Sequence, residues 1–136
     1  CALPIYCITA CIQATKAGAD EALMLDPQGF VATCNSTHFF IVRKGQLWTS
    51  TGDYCLHGIT RDNVLQLAQD NGLEVFEKNF SLTQVYSAEE AFVTGTFAGV
   101  APVSEVDGRT IGSGQRGEIT KRLQDLYVSL IAEDTA

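Results

Sequence analysis

The sequence predicts a mixed α/β domain, and three observations carry the prediction. Helical apolar stripes near residues 8–17, 60–69 and 116–132 alternate with short runs rich in aromatic and β-branched residues. Turn pairs such as Lys44-Gly45, Asn71-Gly72 and Asp107-Gly108 separate them at close spacing. A hydrophobic content of 46% against 18% charged residues supplies a core, which a disordered chain lacks.

In order, residues 8–17 predict the end of a helix, with Ile8, Cys11, Ile12 and Thr15 on one face and Gly18 as its stop. Residues 21–26 predict a short strand, and Asp26-Pro27-Gln28-Gly29 a turn. Residues 30–33 predict a strand, and residues 38–50 a hairpin turning at Lys44-Gly45. Residues 60–69 predict the clearest helix, capped by Thr60 and striped by Val64, Leu65, Leu67 and Ala68. A strand over 73–78, a helical turn over 81–87 and a buried strand over 91–94 follow. Residues 100–106 and 109–111 predict a hairpin around Asp107-Gly108. Residues 116–132 predict an amphipathic helix using Ile119, Leu123, Leu126, Tyr127, Leu130 and Ile131. A mixed sheet with packed helices accommodates this order.

The 136 residues are the length of one domain. The net charge of −7 argues against a nucleic-acid or anionic-membrane surface, and no apolar run reaches the ~20 residues of a membrane span. Five cysteines without paired spacing fit a reducing, cytoplasmic compartment. They fit buried free thiols better than zinc, since no CxxC occurs. Residues 1–6 resemble a translated sequencing-adapter end, so the native domain is expected over 7–136, truncated on its N-terminal side.

Two loops have the chemistry of anion sites. In Leu56-His57-Gly58-Ile59-Thr60-Arg61, Gly58 permits close approach, and Ile59 and Thr60 offer N–H groups at a helix start. In Thr94-Gly95-Thr96-Phe97-Ala98-Gly99 a buried strand ends in hydroxyls and N–H groups. Taken alone, the first is also an ordinary capped helix and the second an ordinary β-turn. Paired Glu89 and Glu90 fit a solvated strand edge better than an acid/base pair, and His38 a packed or partly exposed histidine.

Gly58-Ile59-Thr60-Arg61, the string 89–96 followed by Pro102-Val103, and Gly114-Gln115-Arg116-Gly117 together resemble the class IV aminotransferases, the pyridoxal-phosphate enzymes of fold type IV. Residues 18–26 and Thr120-x-x-Leu123 extend the resemblance to about Cys7–Tyr127. The resemblance implies the C-terminal pseudo-barrel domain of such an enzyme, most similar to the branched-chain amino acid aminotransferases. The D-amino acid aminotransferases and aminodeoxychorismate lyases share the same loops. It implies pyridoxal 5′-phosphate as cofactor, amino acids and 2-oxo acids as substrates, and a homodimer.

It also implies roles. Leu56 would pack on the cofactor ring. Gly58, Ile59, Thr60 and Thr96 would hold the phosphate. Thr96, Phe97 and Ala98 would face the substrate carboxylate. The Schiff-base lysine would lie upstream of residue 1, leaving no catalytic residue here. Lys16, Lys44, Lys78 and Lys121 fit solvated surface positions. Thr33 stands where the family places the glutamate that pairs with the pyridine nitrogen, so a pyridoxal-phosphate-binding pseudoenzyme is a further alternative. His57 stands for a usual proline, filling its turn, and His38 for a usual asparagine.

Overall fold

The computed structural model describes residues 3–135. In chain order the elements are α1 (Leu3–Lys16), β1 (Leu23–Leu25), β2 (Val31–Cys34), β3 (His38–Arg43), β4 (Gln46–Thr49), α2 (Ile59–Asp70), β5 (Val75–Glu77), α3 (Leu82–Tyr86), β6 (Glu90–Gly95), β7 (Gly99–Pro102), β8 (Glu105–Val106), β9 (Arg109–Thr110) and α4 (Glu118–Asp134). The five-stranded sheet runs β5-β4-β3-β6-β7, and β1-β2 and β8-β9 form two-stranded ribbons. The β4–β5 pair is parallel and the other pairs are antiparallel, so the sheet is mixed.

The central strand β3 explains the two cores. Phe39, Phe40, Ile41 and Val42 are all at most 3% exposed, so this strand is buried on both faces. Phe40 and Val42 join Val64, Leu65, Phe92, Leu123 and Tyr127 under α2 and α4. Phe39 and Ile41 point the other way, toward Trp48, Phe80, Val85 and Ala91. Phe40 pairs with Phe92 across the sheet, and their rings stack at 4.9 Å. The hairpin turns at Lys44-Gly45 and Asp107-Gly108 place both residues at positive φ, the type I′ pattern that matches strand twist.

Three expectations need correction. The first helix runs from Leu3 to Lys16; Cys1 and Ala2 lie outside the described residues. Its predicted stripe is not packed: Ile8 and Ile12 are 61% and 51% exposed, and among the described residues of this helix only Ala14 is buried. The strand predicted over 100–106 divides at 103–104, because β7 pairs with β6 while β8 turns away to pair with β9. In α4, Leu123 and Tyr127 are buried but Ile131 is 45% exposed, so the predicted stripe is covered only in its first turns.

Candidate functional site

The start of α2 is the centre of the site. Gly58, not Thr60, is its N-cap, with extended backbone (φ −90°, ψ 134°) and no side-chain cap. The expectation of a Thr60 cap therefore fails: Thr60 lies inside the first turn, 2% exposed. Its Oγ1 accepts a 3.4 Å hydrogen bond from the Tyr127 hydroxyl of α4, so its own proton is free to be donated elsewhere. Arg61 is also 2% exposed; its Nη2 donates to the Ser50 carbonyl (2.9 Å) and to Glu77 (2.7 Å), and its Nη1 to Asp62 (3.3 Å). The buried guanidinium is thus matched by two carboxylates and ties the first turn of α2 to the Ser50 backbone and to Glu77 of β5. Leu56 and Ile59 are each 70% exposed and project from this loop.

The second anion-type loop reaches the same end of the sheet. Thr94 lies directly opposite His38 in the β3–β6 register. The His38 ring in turn abuts Gly58, and its Nε2–H donates to the Leu56 carbonyl at 2.6 Å. Gly95 packs on Thr37, and Gly99 on the Tyr127 ring whose hydroxyl meets Thr60. His38 and Tyr127 therefore bracket the two loops. Thr94 Oγ1 is buried with no hydrogen-bond partner among the described residues. Thr96, Phe97 and Ala98 form an exposed turn, with Phe97 wholly in solvent; they line a shallow cleft of about 230 Å³ against Val128 and Ile131.

Thr33 is buried, and its hydroxyl donates to the Thr37 carbonyl at 2.9 Å. The Glu21 carboxylate holds that turn from outside: it accepts from Ser36 N–H (2.7 Å), Ser36 Oγ (2.6 Å) and Thr37 Oγ1 (2.6 Å). Burial lowers the pKa of His38; the Leu56 carbonyl opposes this, Arg61 and His57 reinforce it, and Asp62 opposes it. His57 is exposed, with its ring over Gly52, filling the turn.

Several supporting residues escape sequence reasoning. Glu90 is not a solvated strand-edge residue. Its carboxylate accepts from Ile119 N–H (3.1 Å), Thr120 N–H (2.8 Å) and Thr120 Oγ1 (2.7 Å), closing the start of α4. Glu89 accepts from Lys44 N–H at 2.9 Å. These partners lie 29, 30 and 45 positions apart, so spacing carries no signal of them. Lys78 is not purely solvated, since its Nζ sits 3.8 Å from the Trp48 ring centroid. Of the cysteines described, Cys34 is buried, Cys7 and Cys55 are half-buried and Cys11 is exposed, so the expectation of buried thiols holds for Cys34 alone. Burial pushes the Cys34 thiol up to about 12. Among the described residues no group of three His, Cys, Asp or Glu could hold a metal ion, and no helix is long and apolar enough to cross a membrane.

The family model for amino-transferase class IV matches residues 6–106. The branched-chain-amino-acid aminotransferase of Pseudomonas aeruginosa is 46% identical over 123 residues, which is 90% of this chain and 40% of that protein. The branched-chain amino acid aminotransferase of Thermobaculum terrenum, solved in its PLP-bound holo form, superposes with a TM-score of 0.89 at 38% identity, over 94% of this chain and 42% of that one. The Escherichia coli branched-chain amino acid aminotransferase gives 0.90 at 34% identity, over 93% and 43%. The chain thus spans about 40% of the length of the curated relative from Pseudomonas. The family match over residues 6–106, on a mixed sheet shared with the solved aminotransferases, places the chain in the class IV aminotransferase family.

Proposed function

We propose that residues 7–136 form the C-terminal cofactor-binding domain of a pyridoxal-phosphate transaminase of the branched-chain amino acid type. It would move an amino group between an amino acid and a 2-oxo acid, in a cytoplasmic homodimer. The observation that carries this reading is the start of α2. A helix N-terminus on which no described side chain accepts from the Ile59 or Thr60 N–H, beside the Thr94–Ala98 loop, suits an anion such as a phosphate ester.

The residues present fit that group. Ile59 and Thr60 N–H and the Thr60 hydroxyl would hold the phosphate from one side and Thr96 from the other. Leu56, exposed beside them, would cover the ring. Thr96, Phe97 and Ala98, in their exposed turn, would orient the substrate carboxylate through N–H groups. Bound there, pyridoxal phosphate supplies the electron sink that an amino-acid α-carbon requires. The proton-shuttling lysine belongs to the part of the enzyme expected upstream, so we expect no amino transfer by the 136-residue chain alone. Incubation with L-leucine and a 2-oxo acid tests that. Borohydride reduction of a longer form carrying the upstream segment tests the cofactor: a fixed, protein-linked chromophore supports the reading, and its absence contradicts it.

One observation favours a second reading, a cofactor-binding protein that does not transaminate. The Thr33 proton is committed to the Thr37 carbonyl, so Thr33 can offer a pyridine N–H only a neutral oxygen. T33E in the longer form would then shift the cofactor absorbance and raise the transfer rate. An unchanged spectrum and rate would remove that reading.

A further inference from the structure

His38 makes two contacts that bear on the anion loop together. Its Nε2–H donates to the Leu56 carbonyl at 2.6 Å, across 18 positions of sequence. Its ring also fills the space beside Gly58: a Cβ added there would lie 2.5 Å from Cε1 and 2.9 Å from Nδ1. The Gly58 backbone, φ −90° and ψ 134°, is open to any residue. Glycine is therefore required by the imidazole, not by the dihedral angles. The donor sits at the start of the central strand β3, paired with Thr94 of β6, whereas the loop it grips carries a 70% exposed Leu56. A rigid element thus holds an exposed one.

We propose that His38 is the positioning residue of the anion loop, fixing Leu56 through its carbonyl and Gly58 through ring contact so that the first N–H groups of α2 are aimed before the anion arrives. This rests on the reading of the α2 start as the phosphate seat. A carbonyl only accepts, so the imidazole must carry its proton on Nε2. The reach is specific. The amide nitrogen of asparagine corresponds to Nδ1 and falls short of Leu56, while that of glutamine corresponds to Nε2. Rescue by glutamine but not by asparagine is therefore the signature of the bond, as distinct from simple packing at position 38.

The test uses the ¹⁵N-labelled 136-residue chain, titrated with inorganic phosphate. We expect a long-range ¹⁵N–¹H spectrum to show the Nε2–H form of His38. We expect Ile59 and Thr60 amide shifts to report phosphate binding that H38Q keeps and H38A and H38N weaken about tenfold, the worth of one hydrogen bond. An Nδ1–H form, or H38A binding phosphate as tightly as wild type, overturns the proposal. If the Ile59 and Thr60 amides ignore phosphate in every variant, the phosphate-seat reading fails by itself. The brace is then decided by the Leu56 and Gly58 amides of the ligand-free proteins: displaced in H38A and restored in H38Q supports it, and unmoved in both overturns it.

Discussion

Two helices of this domain start on a glycine, and they treat their first N–H groups in opposite ways. At α4, Gly117 is the N-cap and the Glu90 carboxylate closes on the Ile119 and Thr120 N–H groups and the Thr120 hydroxyl. The carboxylate lies so close to Gly117 that a Cβ there would overlap it. At α2, Gly58 is the N-cap, a threonine again lies in the first turn, and among the described residues no side chain accepts from the Ile59 or Thr60 N–H. What fills the space beside Gly58 is the imidazole of His38. The α4 start shows what this fold does with a helix terminus that serves structure: it supplies its own anion. The α2 start has the same donors, and its acids, Asp62 and Glu77, are turned to Arg61 instead of to those N–H groups. That difference, more than a glycine-threonine motif, separates a ligand seat from a cap.

The comparison can be broken at α4 first. E90A leaves three donors at a buried turn without their carboxylate, and we expect a loss of about 3 kcal/mol, read from the urea midpoint. A loss below about 1 kcal/mol would show that water replaces the carboxylate easily. Next comes G58A, whose new methyl group meets the His38 ring. We expect about 2 kcal/mol of destabilisation, recovered in large part by adding H38A, since the two side chains would no longer compete for one space. Additive losses in the double variant would mean that the clash lies elsewhere. Y127F removes the hydroxyl that donates to Thr60, a long bond of 3.4 Å, and should lower stability by about 0.5–1 kcal/mol. The smallest effect is one of pH. Burial, reinforced by Arg61 and His57 against the pull of the Leu56 carbonyl and Asp62, places the folded pKa of His38 below its ordinary 6.5. The unfolded chain then binds more protons just below that value. Stability from this site is present above pH 6.5 and declines as pH falls through the folded value. H38Q should flatten that part of the stability profile.

What the sequence makes legible is local. The α2 stripe of Val64, Leu65 and Ala68, the Lys44-Gly45 hairpin and the Ser81 start of α3 each depend on neighbours within a few positions. The two loops stand out for the same reason, since glycine and threonine at a helix start or strand end have a direct physical meaning. The partners that organise the site are not legible. Glu90 meets Thr120 across 30 positions, Glu21 meets Thr37 across 16, and His38 meets Leu56 across 18. Each needs the sheet register before it can be seen. The division of the strand predicted over 100–106 is hidden likewise, because it depends on which neighbour each half finds. The α1 stripe failed differently: its periodicity is sound, but among the described residues its face is left largely uncovered.

The two helix starts differ in one respect: Glu90 accepts from the first N–H groups of α4, while among the described residues no side chain accepts from Ile59 or Thr60 N–H of α2. The direct measurement is an amide chemical-shift titration of the chain with inorganic phosphate, using the two helix starts as site and control within one molecule. The account predicts saturable shifts at Ile59 and Thr60, none at Ile119 and Thr120, and new shifts at Ile119 and Thr120 once E90A empties that position. Equal movement at both helix starts in the wild-type chain, or none at Ile59 and Thr60, would contradict it.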